Sequence, residues 1–238
     1  MKTSPTKLDK FTLRKATNSN SMDVAKKRLR PTNGRRTQAE RTALSDERMF
    51  EAAKQIIIEE GTHSTTLKAI GERAGYSRGL ASNRFGSKQA LFGQLVVRFN
   101  DKWAEELASK VGHQTGTRAC LSALCVVEGF LVHHSQYMKA MYILWFESIS
   151  TDNEVRSHLA DYHEIYRKDV ASWVREGIET GEINPVVDPE CYAFQFSSFI
   201  FGTIYQWLVA ESSVDLAKQF RMYRELTEDA FRIRDLNP

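Results

Sequence analysis

The stretch AGYSRGLASNRFGSK, residues 74–88, interrupts a chain that is otherwise patterned as helix. It contains three glycines, two arginines and a lysine. Glycines near both of its ends are typical helix-ending signals. Between them, Ser77 is a good N-cap for a short helix that has Leu80 and Phe85 on its inner side. The stretch therefore predicts a turn, a short helix and the start of another helix near Lys88.

The segments before this stretch predict two further helices. The run SDERMFEAAKQIIIEEG begins with Ser45 as an N-cap, repeats apolar residues at helical spacing and ends at Gly61. Thr65 or Thr66 then caps a short helix that ends at Gly75. We expect three helices around one small core, with the last two joined by a short turn that contains glycine.

The outward side of the short helix after the turn is small or hydrogen-bonding. A helix that enters the major groove of DNA must be slim and polar on that side. Glycine and serine let the backbone approach the duplex, and arginine and asparagine bind bases or phosphates. The pattern favours a DNA-binding helix-turn-helix over the alternative, an ordinary helical hairpin with a solvated face.

The composition predicts an all-α protein with a cationic N-terminal arm. Of the 238 residues, 42% are apolar and only five are proline, and alternating apolar and polar runs are few. Residues 1–41 carry twelve Lys or Arg against three Asp or Glu, whereas the whole chain has a net charge of only +3. We expect residues 1–42 to be a flexible basic arm, which is either a solvated tail or an arm attracted to DNA phosphates.

The sequence also predicts a cytoplasmic protein. No apolar segment follows the first lysines, so a secretory signal is not expected. The cysteines, Cys120, Cys125 and Cys191, are odd in number and lack C-x-x-C spacing, which favours reduced, buried thiols over disulfides or a zinc site. Residues 191–210 are uncharged over about the length of a membrane span. They include five Gln, Ser or Thr residues and have acidic flanks, which favours a buried or interface helix over membrane insertion.

Several short motifs recur here at the spacing of one known family. They are Ala52-Ala53 with Ile56-Ile57, Gly61, Thr65-Thr66, Ile70, Ala74-Gly75, Ser77-Arg78-Gly79, Phe85, Ser87-Lys88 and Leu91-Phe92. The segment from Ser45 to about Trp103 thereby resembles the N-terminal DNA-binding domain of TetR/AcrR-type transcriptional regulators, and a match of this length is far more specific than a lone helix-turn-helix. Three positions depart from the family's common residues: Thr62 replaces an aromatic, Gly71 an alanine and Ser82 a tyrosine.

The resemblance implies a set of DNA contacts around the short helix. It implies phosphate contacts for Thr66, Ser77 and Lys88, and recognition-helix roles for the outward residues of the short helix. Arg78 and Arg84 are the strongest candidates among these, because bidentate arginine to guanine is the commonest specific contact. The full predicted set, which would bind a double-stranded operator, is Thr65, Thr66, Tyr76, Ser77, Arg78, Gly79, Ser82, Asn83, Arg84 and Lys88.

The resemblance also implies a larger C-terminal helical domain that binds a small-molecule effector and forms a homodimer. The expected division is a basic arm at 1–42, the helix-turn-helix domain at 43–104 and the effector-binding and dimerisation domain at 105–238. The predicted effector-binding residues are His133, Tyr142, Trp145, Phe146, Trp173, Phe194 and Trp207. The predicted dimer interface includes Gln195, Ser198, Gly202, Phe220 and Tyr223; the alternative is that its two helices are intramolecular core.

We expect no metal, no cofactor and no catalysis. The pairs His133/His134 and His158/His163 do not share a helix face, and neither a Gly-rich phosphate loop nor a nucleophile elbow occurs. The predicted function is a sequence-specific DNA-binding transcriptional regulator, in the main hypothesis a repressor that an effector releases from a near-palindromic operator. Two alternatives stay open: a ligand-independent accessory or architectural DNA-binding protein, and an enzyme built on the C-terminal helices.

Overall fold

Eight α-helices account for most of residues 37–150 and 154–233, which are the residues that the computed structural model describes. In chain order they are α1 (Gln38–Ser64), α2 (Leu67–Arg73), α3 (Arg78–Phe85), α4 (Lys88–Val111), α5 (Gly116–Ser148), α6 (Glu154–Glu179), α7 (Pro189–Val209) and α8 (Leu216–Phe231). A short 3₁₀ turn at Glu211–Ser213 precedes α8. These two ranges contain no β-strand, so the predicted all-α class is confirmed.

The first helix begins earlier than predicted. Because α1 starts at Gln38, Ser45 lies inside the helix, buried, and its hydroxyl donates to the Thr42 carbonyl at 2.7 Å instead of capping a helix start. Residues 38–42, expected in the flexible arm, are therefore helical, and residues 1–36 lie outside the described residues. The predicted stop at Gly61 is right, since its φ of 80° and ψ of 171° interrupt α1.

Side-chain caps determine where the later helices start. Thr66, Ser77, Ser87 and Asp188 each accept a hydrogen bond from the backbone N–H three residues further on. Each cap satisfies a donor that has no partner within its helix and contributes about 1 kcal/mol. Of the two predicted candidates Thr65 and Thr66, Thr66 is thus the cap of α2, and the helix start predicted from Ser77 is confirmed.

The central helix of the C-terminal body is α5. It is interrupted at His134, whose φ of −134° and ψ of 27° are not helical, so α5 is one kinked helix. Within the described ranges, α5 is the one helix long and apolar enough to cross a membrane, but half of its most apolar window is buried. Its apolar surface packs against α1, α4, α6 and α8.

A continuous helix, α4, joins the helix-turn-helix to the body. The expected domain boundary at residues 104 and 105 falls inside α4. Leu91 and Leu95 in its first half are fully buried in the shared core. Around its middle, Phe99 and Trp103 make edge-to-face contacts with Phe130 of α5, at centroid separations of 5.4 and 5.8 Å. The same rigid element therefore packs in both parts of the molecule.

Candidate DNA-binding surface and effector cavity

The turn between α2 and α3 is closely packed. Gly75 adopts a φ of 79°, and the Tyr76 N–H donates to the Gly71 carbonyl at 2.7 Å. A Cβ atom at Gly71 would lie 2.9 Å from the carbonyl oxygen of Ser77, which is closer than side chains come to a backbone. Glycine at position 71 therefore lets α2 approach the backbone that begins α3, and this accounts for the departure from the alanine common in the family.

The outward side of α3 is exposed and carries one unengaged arginine. Arg78, Gly79 and Asn83 are exposed, and Ser82 is half-buried. The Arg78 side chain has no hydrogen-bond or ion-pair partner among the described residues. In contrast, Arg84 Nε lies 2.8 Å from Asp46 Oδ1 of α1, although this ion pair is not aligned as a hydrogen bond. Of the two arginines singled out, Arg78 is the one available to DNA.

Two other predicted contacts are engaged within the protein. Thr65 is fully buried and its hydroxyl donates to the Gly61 carbonyl at 2.9 Å, so its predicted role as a DNA contact does not fit this structure. Lys88 is half-buried, and its Nζ donates to the Thr62 carbonyl at 2.7 Å, which directs the ammonium group toward the end of α1. Thr66 and Ser77 are exposed beside the starts of α2 and α3, and Tyr76 is half-buried.

Thr62 connects the helix-turn-helix to the body. Its hydroxyl donates to the carboxylate of Glu147, near the C-terminal end of α5, while its carbonyl accepts from Lys88 at the first position of α4. An aromatic side chain at position 62 has no hydroxyl and cannot make the first of these bonds. The unusual threonine therefore gives α5 a direct polar contact to the residue that precedes the DNA-binding helices.

A cavity lies between α4, α5, α6 and α7. The enclosed part of the cavity is small, about 70 Å³, within a cleft of about 680 Å³ that includes open solvent, so the walls lie close together. The wall is almost entirely apolar and includes eight aromatic side chains: Phe99, Trp103, Tyr142, Trp145, Tyr166, Trp173, Phe196 and Phe201. Concave, aromatic-lined spaces of this kind are typical small-molecule sites.

Some polar groups of the cavity wall are bonded within the protein and others are not. The Tyr142 hydroxyl donates to the Phe201 carbonyl at 3.0 Å, the Tyr166 hydroxyl donates to Asn100 Oδ1, and the Ser197 hydroxyl donates to the Ala193 carbonyl at 3.0 Å. Two other groups have no partner among the described residues. They are the buried Nε1 of Trp145 and the carboxylate of Asp169, whose pKa is raised by burial.

The cavity includes three of the seven predicted effector-binding residues, Tyr142, Trp145 and Trp173. The other four do not line it: His133 and Phe146 are exposed on α5, Phe194 is 62% exposed on α7, and Trp207 packs elsewhere on the core. On α7 the inward aromatic is Phe196 rather than Phe194. The aromatic-rich sequence of α7 left its helical phase ambiguous, whereas Tyr192, four residues before Phe196 and also buried, marks the inner face.

The predicted dimer residues divide in a similar way. Gln195 and Ser198 are exposed, and a Cβ at the half-buried Gly202 would meet no atom within 4 Å. Phe220 is fully buried and packs edge-to-face on Phe199 at 5.4 Å, so it belongs to the core and its predicted place in an interface is wrong. Tyr223 is half-buried and stacked on the same Phe199 ring at 3.8 Å.

The His, Cys, Asp and Glu side chains do not form a metal site in the part of the chain that the structure describes. No group of three or more potential metal ligands occurs within residues 37–150 and 154–233. The three cysteines are free thiols; Cys120 is buried as predicted, whereas Cys125 and Cys191 are exposed and their predicted burial is wrong. Burial raises the pKa of Cys120 to about 12, which keeps it protonated and unreactive.

These features define a class of protein: a helix-turn-helix transcriptional regulator with a helical C-terminal body. Residues 50–95 match the sequence model of "Bacterial regulatory proteins, tetR family", and residues 142–222 match "Tetracyclin repressor-like, C-terminal domain". The chain belongs to the TetR family of DNA-binding transcriptional regulators. The resemblance identified from the short motifs is therefore confirmed.

Individual relatives are distant but extend over most of the chain. The transcriptional regulator TtgR of Pseudomonas putida is 27% identical over 193 residues, which cover 78% of this chain and 90% of TtgR. The structure of the fatty acid degradation regulator FadR from Bacillus halodurans matches with a TM-score of 0.69 at 17% identity, covering 80% of this chain and 97% of FadR. A regulator from Saccharomonospora viridis in complex with choline also has a TM-score of 0.69, at 18% identity, and covers 81% and 100% of the two chains. The two structural matches support the fold.

We expect Gly71→Ala to lower the melting temperature, because the Ser77 backbone must shift and such overpacking costs about 1–3 kcal/mol. Gly79→Ala is the matched control, since its Cβ would meet only Ser77 Oγ, at 3.8 Å, and alanine stabilises a helix by about 0.5–1 kcal/mol relative to glycine. Thermal unfolding followed by circular dichroism measures both. Equal losses in the two variants would contradict the close contact at Gly71.

Asp169→Asn should stabilise the ligand-free protein at neutral pH. Burial raises the pKa of Asp169, so the ionised side chain is disfavoured in the folded state. That cost is fully present above the raised pKa and disappears as the pH falls toward the ordinary value of about 3.9, where folded and unfolded chains are both protonated. We expect a higher melting temperature than the wild type at pH 7.5, and a gain that shrinks as the pH falls toward the ordinary carboxyl value. A gain that grows on acidification would contradict this assignment.

Proposed function

We propose that this regulator is a repressor that binds a near-palindromic operator as a homodimer and that a small molecule in the α4–α7 cavity lowers its affinity for DNA. The single observation that carries the proposal is that α4 follows directly after the recognition helix and also forms a wall of the cavity. A ligand that binds more tightly at one position of α4 than at another shifts the equilibrium toward that position by the difference in binding free energy. Because α3 is joined directly to α4, its position shifts as well. The site of action proposed here is the cytoplasm.

The contact between Thr62, Glu147 and Lys88 supports the same coupling. Trp145 of the cavity wall and Glu147 belong to the last turn of α5, so a change at the wall also acts on the bond to Thr62. Thr62 in turn holds Lys88, at the beginning of α4. Two packed connections, one through α4 and one through α5, therefore join the cavity to the DNA-binding helices. Coupling between two such sites is reciprocal, so operator DNA should lower the affinity for the ligand.

The DNA-binding role rests on the exposed side of α3. Arg78 is exposed at the first position of that helix, where recognition helices of helix-turn-helix proteins contact base edges. Gly79 beside it offers no side chain, which allows the helix backbone to approach the duplex. Thr66 and Ser77 lie at the starts of α2 and α3, where backbone N–H groups and hydroxyls suit phosphate oxygens.

The homodimer is proposed to form through the outer faces of α7 and α8. Large apolar side chains are exposed on both helices, and they include Phe194 and Leu226, each 62% exposed. Gln195, Ser198 and Gly202 lie on α7 and are available to a second helix. A two-fold dimer places its recognition helices in successive major grooves only if their centres lie about 34–36 Å apart.

Selection of bound sequences from random DNA tests the repressor proposal and supplies the operator. We expect a near-palindromic site whose half-sites are centred one helical turn apart, and a fall in affinity for it when a cavity ligand is added. Operator binding that no small molecule changes would favour the accessory or architectural alternative. Turnover of a substrate by the purified protein would favour the enzyme.

Arg78→Ala should lower operator affinity by about 1–3 kcal/mol and relax the preference at one position of each half-site, because one base-contacting arginine is lost. Lys168→Ala removes the same charge from the remote helix α6 and is the control. Fluorescence anisotropy with the selected operator and its single-base variants measures both. Wild-type affinity and preference in Arg78→Ala would remove Arg78 from the recognition set.

Arg84→Ala tests the other arginine in the same assay. A loss of operator affinity would make Arg84 a DNA contact, whereas unchanged affinity would leave it as an intramolecular partner of Asp46.

Leu226→Glu combined with Phe194→Glu should produce monomers, because two charges would replace apolar surface at the centre of the proposed interface. Val132→Glu, at a 77% exposed apolar position on α5, is the control for an added surface charge. Sedimentation velocity at micromolar concentration measures the assembly state. A dimer that persists in the double variant would place the interface elsewhere.

A further inference from the structure

We infer that the cavity selects a cationic effector, a protonated amine or quaternary ammonium on a compact apolar or aromatic frame, and that Asp169 is its counter-charge. This inference rests on the proposed function, in which the cavity is the effector site. It assigns to that site the charge of its ligand and the residue that recognises it.

The charge of the cavity wall favours a cationic ligand over an anionic one. Among the described residues that line the cavity, Asp169 is the one ionisable at neutral pH, and lysine, arginine and histidine do not occur there. An anionic ligand would have to leave water for an apolar space whose wall includes Asp169 and no basic side chain. Such a transfer is strongly unfavourable. A cationic ligand meets an opposite charge in the same place.

The Asp169 carboxylate lacks a partner within the described residues, which favours a ligand that supplies one. A half-buried carboxylate costs free energy unless a cation or hydrogen-bond donors compensate it. No side chain of the described residues donates to Asp169 or forms an ion pair with it. A bound ammonium group would supply both a charge and donors, or a charge alone if it is quaternary. The protein thus retains in its wall a group that only a ligand or solvent satisfies.

The neighbours of Asp169 in the cavity wall are aromatic, which also favours a cation. Tyr166 and Trp173, three residues before and four after Asp169 on α6, also line the cavity, so Asp169 has an aromatic residue on either side of it along one helix face. Trp103 of α4 packs edge-to-face on Tyr166 at 6.3 Å and adds a third ring. Aromatic faces attract cations, and the attraction is stronger where water is excluded. An acidic group among aromatic rings is suited to an ammonium ion.

The cavity also limits the size of the ligand. Because the enclosed volume is only about 70 Å³, the walls leave a narrow space between aromatic surfaces. A flat ring with a short amine chain fits such a space better than a bulky molecule does. The competing polar group is the unpartnered Nε1 of Trp145, a donor that suits a neutral or anionic acceptor. Binding probes of different charge separate the two possibilities.

The test uses three probes of one shape and different charge: 4-phenylbutylamine, 4-phenylbutanol and 4-phenylbutyrate. Isothermal titration calorimetry with the full chain at pH 7.5 measures their affinities. We expect the amine to bind at least about tenfold more tightly than the alcohol, and the carboxylate to bind most weakly. Asp169→Asn should abolish the preference for the amine, and Asp169→Glu should retain part of it. Asp161→Asn, which removes an exposed carboxylate from the same helix, should leave the preference unchanged.

Each other outcome overturns the inference. Equal affinity for the three probes, strongest binding of the carboxylate, no binding of the amine at millimolar concentration, or an unchanged preference in the folded Asp169→Asn variant would each contradict it. The operator assay is scored separately. If the amine binds in an Asp169-dependent way but leaves DNA affinity unaltered, the charge recognition stands and the proposed effector function fails.

Discussion

The continuity of α4 is the constraint on which the rest of the structure depends. The helix begins at Lys88, three residues after the end of the recognition helix, and ends at Val111 beyond the cavity. Its inner face packs first in the core of the helix-turn-helix and then against the rings of α5. A helix of this kind transmits a displacement because its hydrogen-bonded backbone and close-packed side chains do not deform gradually. The position of α3 and the shape of the cavity therefore both depend on the position of α4.

The helix-turn-helix could be predicted from the sequence in detail because its determinants are local. Thr66 and Ser77 are good caps and Gly61 and Gly75 are good stops whatever surrounds them, and the structure uses all four as predicted. The predicted start of α1 at Ser45 was wrong, because local signals there favoured two different starts. Ser45 has the right side chain for a cap, but the preceding residues also suit a helix, and its hydroxyl bonds back to Thr42 instead.

The cavity and the interface could be predicted only in part because they depend on tertiary packing. Composition indicated that aromatic residues of α5 to α7 surround a ligand site, but not which of them point inward. Tyr142 and Trp145 line the cavity while Phe146, the next residue, is exposed. Phe220 looked like an interface residue because amphipathic spacing does not distinguish an inner from an intersubunit face. The contact of Thr62 with Glu147 joins residues 85 positions apart, and no local pattern indicates it.

The most direct test of the account is the distance between the two recognition helices in the dimer, measured with and without a cavity ligand. A spin label at Gln89→Cys, an exposed position at the start of α4, with Cys125 and Cys191 replaced by serine, reports it by pulsed electron spin resonance. With operator DNA we predict one narrow distribution, consistent with recognition helices about 34–36 Å apart. Saturating 4-phenylbutylamine should shift the DNA-free distribution away from it. If the ligand fills the cavity and weakens operator binding while the distribution stays unchanged, the claim that α4 transmits the signal is contradicted.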